Sequence, residues 1–440
     1  MKTHFSPMTA LAVVVANMIG TGVFTSLGFQ LVTLQSGFAL IMLWVVGGII
    51  AICGALSYAE LGAALPRSGG EYNFLGRIYH PSAGFISGWI SSTIGFSAPV
   101  ALAAMTFGAY TTASFFPDAE QSLVNWIERG LAVGLIILLT FIHTIRRETS
   151  GQFQIVFTFI KVAVILGISS IALVIVADYQ PISLLPRAGD AAAVSSGAFA
   201  VSLIYVSYAY TGWNVATYLT GELEHPQRSL PRVLFAGAFG VMLLYILLNA
   251  VFLLTTPMEI MVGEVEVGVI VARHVFGQAG AVFTGGVLGV LLISTVSAMT
   301  IAGPRVLQVI GQDIRAFRFL AKETEDGLPT TAVTLQSVIA LLFVVSATFD
   351  QVLVFAGVTL ALNSFLAVLG LFVLRARAPE LERPFRVPGF PIVPIIFLVL
   401  TAWTLIYVVI ERPVEVAFSA ALIGAGALIY ILTRDRAVRI

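Results

Sequence analysis

The sequence predicts an all-α polytopic membrane protein. Of its 440 residues, 58% are hydrophobic and only 10% are charged, and the mean hydropathy is +0.98. Soluble domains carry about 25% charged residues, so this composition excludes most soluble enzyme classes. The apolar stretches are long and continuous rather than alternating in short strands, which excludes an outer-membrane barrel. At about 20 residues per crossing, the chain has room for about ten to twelve helices.

Twelve long apolar stretches are candidate transmembrane segments, numbered 1 to 12 in chain order. They are residues 8–33, 38–65, 82–115, 123–143, 152–177, 195–221, 230–255, 278–304, 330–349, 351–374, 390–410 and 414–433. No connection between them is long enough for a soluble domain. The longest, at about 305–328, is charged and predicts a short surface helix.

The basic residues indicate how the segments are oriented. Of the 23 lysines and arginines, 18 fall in the termini and the loops after even-numbered segments. Four fall in the loops after odd-numbered segments, and one, Lys161, lies inside segment 5. Basic loops stay on the cytoplasmic side of a membrane. We therefore expect both termini in the cytoplasm and the chain in the cytoplasmic membrane.

Two segments contain weak helix formers halfway along their length. Segment 1 has Gly20-Thr21-Gly22, and segment 6 has Thr211-Gly212. Glycine-interrupted helices at corresponding places of two halves are typical of transporters with an inverted repeat. Glycine also serves close packing in membrane helices, so the pattern alone does not define a function.

Unwound backbone at mid-membrane needs a hydrogen-bonding partner, and a zwitterion can satisfy both kinds of group. The amides of Thr21 and Gly22 begin a second half-helix, whose positive dipole end favours a carboxylate. An ammonium group would lie against carbonyls freed near both breaks. These carbonyls belong to Met18, Ile19, Tyr208 and Ala209.

Segment 5 carries a lysine near the centre of the bilayer. Lys161 lies about nine residues into the segment, which is roughly 13 Å deep at 1.5 Å per residue. A lysine at this depth normally faces a partner or a water-filled cavity and marks a pathway. No acidic residue is expected at matching depth, because Glu60 and Glu222 lie near segment ends. Hydroxyls of segment 8, including Ser294 and Thr295, are candidate partners.

Other function classes lack their sequence features. A channel would show a continuous polar stripe or charged ring, and neither is visible. A membrane-embedded enzyme would need His, Asp or Glu at mid-membrane, but the five histidines fall at segment ends or in loops. The HExxH and GxxxxGK[ST] motifs of metalloproteases and ATPases are absent.

No cofactor, metal or nucleic acid is expected as a partner. The single cysteine, Cys53, lies in an apolar run, so neither an internal disulfide nor a Cys-rich metal site can form. The basic residues are spread over short loops and form no continuous surface for nucleic acid. The expected partners are a small-molecule substrate and the lipid bilayer.

Three stretches, ANMIGTGVF at residues 16–24, residues 57–81 and residues 208–232, together resemble the amino acid–polyamine–organocation superfamily of transporters. ANMIGTGVF, residues 16–24, resembles its broken first segment, and residues 57–81 resemble its segment 2 and the following loop. Residues 208–232 resemble its segment 6, where YAYTGWN is closest to the L-type amino acid transporters. The resemblance extends from segment 1 to about segment 10.

This resemblance implies a LeuT-type fold with twelve transmembrane helices and broken helices 1 and 6. Residues 1–375 would form the transporter core, with a 5+5 inverted repeat at about 8–177 and 195–374. Residues 376–440 would add two further helices.

The resemblance also implies an amino-acid site at the two breaks. It assigns the substrate carboxylate to the amides of Thr21 and Gly22, and it makes Tyr208 an aromatic gate over the substrate. Further residues at the border of the pocket would be Thr211, Gly212 and Asn214.

Lys161 matches the lysine that, in sodium-independent members, places its ammonium where relatives bind a sodium ion. By this resemblance it contacts the carbonyls of Ala16 and Ile19 and the hydroxyl of Ser294 or Thr295.

The sequence departs from the family pattern at three places. Ala16 stands where many relatives have glycine, which a carbonyl contact tolerates. Segment 6 ends in Glu222-Leu223-Glu224 instead of the usual paired acids, which weakens a gate role for the second acid. The loop near 116–122 has no cysteine, so the disulfide to a heavy chain known from animal L-type transporters cannot form there.

The sequence thus predicts sodium-independent secondary active transport of neutral L-amino acids by alternating access. Apart from Lys161, no ionisable side chain is expected at site depth, so a cationic substrate would lack a counter-ion. Amino acid exchange is the first expectation. Proton-coupled symport is the alternative, because burial and hydrogen bonding shift the pKa of Lys161 in opposite directions.

Overall fold

The computed structural model describes residues 6–67, 69–145, 151–223, 226–324 and 328–433. Within these ranges the regular structure is helical and contains no β-strand. In the same ranges, ten stretches are long and apolar enough to cross a membrane, and two apolar helices are shorter. The predicted all-α membrane class is confirmed. The termini, predicted to be cytoplasmic, lie outside the described residues.

The helices follow the predicted segments closely. Helices α1 to α8 are Pro7–Met18, Gly22–Gln30, Gly37–Ala64, Glu71–Ile78, Pro81–Ile90, Ser97–Phe115, Gln121–Ile145 and Gly151–Ile175. Helices α9 to α16 are Asp190–Val194, Gly197–Ala209, Pro226–Thr255, Val267–Asp313, Thr330–Ser346, Phe349–Arg377, Ile392–Glu411 and Pro413–Thr433. A π-helical turn, Ser91–Gly95, joins α5 to α6, and a 3₁₀ helix, Val215–Glu222, follows α10.

Segment 1 is interrupted where the sequence predicted. Helix α1 ends at Met18 and α2 begins at Gly22. Between them, Ile19 has a ψ of 77°, which is far from the helical value, and the Gly20 amide bonds back to the Met18 carbonyl at 2.8 Å. The peptide groups of this stretch therefore leave the helical hydrogen-bond pattern.

Segment 6 is interrupted in the same manner. Helix α10 ends at Ala209, and Gly212 then adopts a φ of +99°, which glycine accepts without a steric penalty. The chain continues as the 3₁₀ helix rather than as an α-helix. This break explains why α10, with 13 residues, is shorter than a membrane-spanning helix.

Segment 8 is longer than the sequence predicted. Helix α12 runs from Val267 to Asp313 and bends at Gly277, where φ is 71°. A 3₁₀ helix, Arg315–Ala321, follows it directly and accounts for the surface helix expected near 305–328, and a shorter one, Met258–Ile260, precedes α12.

The broken segments lie among the other helices. Helix α1 packs against α8, α11 and the Val215–Glu222 helix, and α2 packs against α10 and α12. At the end of the chain, α15 contacts α3, α10 and α14, while α16 contacts α5 and α14. Both breaks are therefore surrounded by protein.

Candidate functional site

The two helix breaks lie against each other. A Cβ atom added to Gly22 would lie 2.6 Å from the Ala209 Cβ, and one added to Gly212 would lie 2.8 Å from the Asn17 carbonyl carbon. Side chains cannot approach that closely, so only glycine at these two positions lets the backbones meet. Breaks that are far apart in the sequence thus form one site.

A cavity opens between the breaks. The predicted residues on its wall are Met18, Gly20, Thr21, Gly22, Tyr208, Ala209, Thr211, Gly212, Asn214 and Thr295. A second, smaller cavity is also lined by Gly20 and Thr295, and Ile19 and Lys161 lie on its wall. Of the predicted site residues, Ala16 and Ser294 are on the wall of neither cavity.

The first turn of α2 presents free amides to the larger cavity. The N–H groups of Thr21 and Gly22 donate to no acceptor among the described residues, and both residues are buried. Peptide dipoles aligned along α2 place positive charge at this end. The two amides are therefore suited to bind a carboxylate.

The predicted carbonyls are less free than the sequence suggested. The Tyr208 carbonyl accepts from the amide and the hydroxyl of Thr211, at 2.9 and 2.6 Å. The Met18 carbonyl accepts from the Gly20 amide and the Tyr245 hydroxyl. A carbonyl oxygen has two lone pairs, so these two are occupied.

The other two predicted carbonyls keep one acceptor position each. Ile19 accepts from Lys161 at 3.2 Å, and Ala209 accepts from the Tyr245 hydroxyl at 3.1 Å. Each oxygen has a second lone pair available for a ligand. The Ala209 carbonyl lines the larger cavity and is the better candidate for a substrate ammonium, since the Ile19 carbonyl lies in the smaller cavity and already accepts from the Lys161 ammonium.

Lys161 is buried and joins the first break to segment 8. Its ammonium donates to the Ile19 carbonyl and to the Thr295 hydroxyl, the latter at 2.9 Å. The Thr295 hydroxyl in turn donates to the Leu291 carbonyl at 3.0 Å. In the described part of the chain no carboxylate pairs with this lysine.

Of the partners expected for this ammonium, the described residues supply Ile19 and, of the two alternative hydroxyls, Thr295. Neither the Ala16 carbonyl nor the Ser294 hydroxyl is among the described hydrogen-bond partners of Lys161. Ala16 lies inside regular α1 helix, three residues before the break. Successive helical residues point about 100° apart, so only one of Ser294 and Thr295 can face the lysine.

Comparison with known proteins identifies the family of this chain. A family model for amino acid permeases matches residues 5–432. The chain belongs to this family. The resemblance to the amino acid–polyamine–organocation superfamily is therefore confirmed, and the protein is a multi-pass membrane transporter rather than an enzyme.

Curated relatives align along nearly the whole permease. The b(0,+)-type amino acid transporter 1 of Mus musculus is 27% identical over 431 residues, which cover 97% of this chain and 86% of the mouse protein. The large neutral amino acids transporter small subunit 2 of Homo sapiens is 29% identical over 447 residues, covering 98% and 80% of the two chains. The Asc-type amino acid transporter 1 of Mus musculus is 28% identical, with 98% and 81% covered.

Sequence reasoning missed Tyr245, which connects the two breaks of the permease. Its hydroxyl lies between the Met18 and Ala209 carbonyls and is buried in α11. Its ring packs against Trp44 at 5.4 Å and Tyr210 at 5.0 Å between centroids. The signal in the sequence was the one tyrosine within the apolar run of segment 7.

Replacing Tyr245 with phenylalanine is expected to slow amino acid uptake about fivefold, because the one hydroxyl proton that the Met18 and Ala209 carbonyls share makes a buried hydrogen bond of about 1 kcal/mol. The ring packing is retained, so folding should be little changed. Initial uptake rates in proteoliposomes measure the effect. Tyr179→Phe is the matched control, since that tyrosine is exposed. Equal rates for Tyr245→Phe and the wild type would contradict the role of this hydroxyl.

Glu71 is the second functional residue that the sequence did not predict. It lies in the loop after segment 2, yet its side chain is 2% exposed and lines the larger cavity. The expectation that Lys161 is the only ionisable group at the site is therefore wrong. Helix α4 folds back into the protein, a tertiary arrangement that hydropathy does not reveal.

Two smaller expectations concern the borders of the site. Cys53 is buried in α3 and lies far along the chain from the loop near 116–122. The second acid of the segment 6 exit, Glu224, lies outside the described residues.

Proposed function

We propose that the permease exchanges neutral L-amino acids across the cytoplasmic membrane by alternating access, without sodium. The observation that carries this proposal is the meeting of the two helix breaks around one cavity. The first break offers free amides and the second offers the Ala209 carbonyl oxygen, which together match the two charged ends of a zwitterion.

The contacts suggest how an amino acid binds. The substrate carboxylate accepts from the amides of Thr21 and Gly22, and its ammonium donates to the Ala209 carbonyl on the wall of the same cavity. The side chain then lies toward the remaining cavity wall, next to Tyr208. Tyr208 is buried beside both breaks, which suits an aromatic gate that excludes water from the bound substrate.

Sodium independence follows from the position of Lys161. Its ammonium already connects the unwound part of segment 1 with segment 8 through Ile19 and Thr295. A fixed positive charge at this place makes a bound cation unnecessary. If Lys161 keeps its proton throughout the cycle, the permease is an exchanger, and if it loses the proton in one state, the permease is a proton symporter.

The preference for neutral substrates is compatible with Glu71. Its carboxylate already accepts hydrogen bonds from Tyr58, Asn214 and Tyr218. A cationic substrate side chain would have to displace these donors, whereas a neutral one leaves them in place.

The proposal includes the predicted architecture. Residues 1–375 form a LeuT-type core with a 5+5 inverted repeat, residues 376–440 add two helices, and both termini are cytoplasmic. The breaks in segments 1 and 6, at equivalent places of the two halves, support the repeat. The permease works without a disulfide-linked heavy chain, since its one cysteine is buried.

Uptake into proteoliposomes tests the mechanism. Vesicles are prepared with or without internal alanine, a proton gradient is imposed or omitted, and labelled alanine uptake is followed with and without sodium. Exchange predicts uptake only into vesicles that contain amino acid, at the same rate in sodium-free buffer. Concentrative uptake into empty vesicles driven by the proton gradient would establish symport instead.

The same vesicles test substrate class. Unlabelled alanine, serine, leucine and phenylalanine should compete with the labelled substrate, while arginine and putrescine should compete weakly. Stronger competition by arginine than by any neutral amino acid would contradict the proposed specificity. An absolute requirement for sodium would contradict the role given to Lys161.

A further inference from the structure

The turn before α4 is packed directly against segment 6. Gly69 and Gly70 have φ values of 122° and 52°, which glycine adopts easily. A Cβ atom added to Gly70 would lie 2.8 Å from the ring of Tyr218. Tyr218 belongs to the 3₁₀ helix that follows the second break. The lack of a side chain at Gly70 thus lets this ring lie directly against the turn.

Glu71, the next residue, joins three parts of the chain. Its carboxylate accepts from Asn214 Nδ2 at 2.5 Å and from the Tyr218 hydroxyl, both in the second half of segment 6. It also accepts from the Tyr58 hydroxyl of α3 at 2.9 Å. One buried side chain therefore links segment 6 to segment 2 at the wall of the cavity.

The hydrogen bonds from Asn214, Tyr218 and Tyr58 stabilise the Glu71 carboxylate. No ion pair of Glu71 with lysine or arginine occurs among the described residues. A buried charge without a counter-ion depends on its hydrogen bonds, and charge-assisted bonds are roughly twice as strong as neutral ones. Segment 6 cannot leave this position without breaking two of them.

We propose that Glu71 is a positioning residue that keeps the α4 side of the cavity closed by holding Asn214 and Tyr218. Release of these two residues opens the cavity on that side, which is cytoplasmic in the proposed topology. The inference rests on the proposed function, because it takes the cavity to be the substrate site.

Access to a cysteine placed in the cavity tests this inference without any transport measurement. Met299 lines the cavity on α12, so Met299→Cys in a Cys53→Ser background provides one reactive thiol. A membrane-impermeant thiol reagent is applied to either face of reconstituted vesicles. Glu71→Ala should raise the labelling rate from the α4 side about tenfold, the factor expected when buried hydrogen bonds are lost.

Two tyrosines form a matched pair, because each donates its hydroxyl to the same carboxylate. Tyr218→Phe removes a link to segment 6 and should raise labelling from the α4 side about threefold, as one hydrogen bond is lost. Tyr58→Phe removes the link to α3 and should leave the ratio between the two faces unchanged. If Glu71→Ala does not fold, this pair decides the question.

Equal effects of the two tyrosine substitutions, unchanged labelling in all variants, or faster labelling only from the opposite face would overturn the inference. Because the readout is access and not uptake, these results stand even if the substrate proves not to be a neutral amino acid. The uptake assay in proteoliposomes tests the proposed function separately.

Discussion

Replacing Lys161 with alanine is expected to reduce amino acid transport about 100-fold. The ammonium makes two buried hydrogen bonds, to the Ile19 carbonyl and the Thr295 hydroxyl. Hydrogen bonds to a charged group contribute about 1.5–3 kcal/mol each, and about 2.7 kcal/mol corresponds to a factor of 100 in rate. Alanine removes both bonds and with them the hydrogen-bonded link between the first break and segment 8.

Initial exchange rates in proteoliposomes measure this effect, with thermal unfolding of the purified protein as the test for correct folding. Lys322→Ala is the matched control, because it removes a lysine that is exposed and far along the chain from both breaks. It should transport at the wild-type rate. A folded Lys161→Ala protein that keeps more than about a tenth of the wild-type rate would contradict the assigned role.

The sequence was sufficient to predict the breaks and the lysine because both are unfavourable in a membrane. Unwound backbone and a buried charge each cost several kcal/mol in hydrocarbon, so they occur where the structure compensates for them. Gly20-Thr21-Gly22, Thr211-Gly212 and Lys161 therefore stood out from their apolar surroundings. The structure brings all three regions to the walls of two adjoining cavities.

Tyr245 and Glu71 could not be predicted in the same way. Placing a tyrosine in a membrane segment costs little free energy, so the presence of Tyr245 in α11 did not indicate a functional role. Glu71 lies between segments 2 and 3 in the sequence, where an acid is normally solvated. Its burial depends on α4 folding against segment 6, a contact between residues that are 143 positions apart.

The choice between Ser294 and Thr295 was also beyond the sequence. Both lie in segment 8 at nearly the same depth, so composition and hydropathy do not distinguish them. The rotation of α12 about its own axis decides which hydroxyl faces Lys161. That rotation is set by the packing of α12 against α6, α8 and other helices.

Replacing Gly212 with alanine is expected to weaken substrate binding at least tenfold. The residue has a φ of +99°, where an L side chain is strained by about 1–3 kcal/mol. Its new Cβ would also lie 2.8 Å from the Asn17 carbonyl carbon, so the two breaks would have to move apart. Substrate binding uses both breaks at once and should therefore weaken. The thermal stabilisation of the purified protein by added free alanine measures the strength of substrate binding.

Substitutions at two other glycines distinguish the effect of backbone strain from the effect of the steric clash with Asn17. Gly263→Ala introduces a similar strain, since φ is 79°, but a Cβ there meets no atom within 4 Å. Gly240→Ala, in α11, introduces neither effect, since its Cβ also meets open space and its φ is not positive. Both variants should bind alanine as the wild type does, because neither moves one break relative to the other. If Gly263→Ala lowers binding as much as Gly212→Ala, backbone strain alone is responsible, and the contact between the two breaks is not what holds the site together.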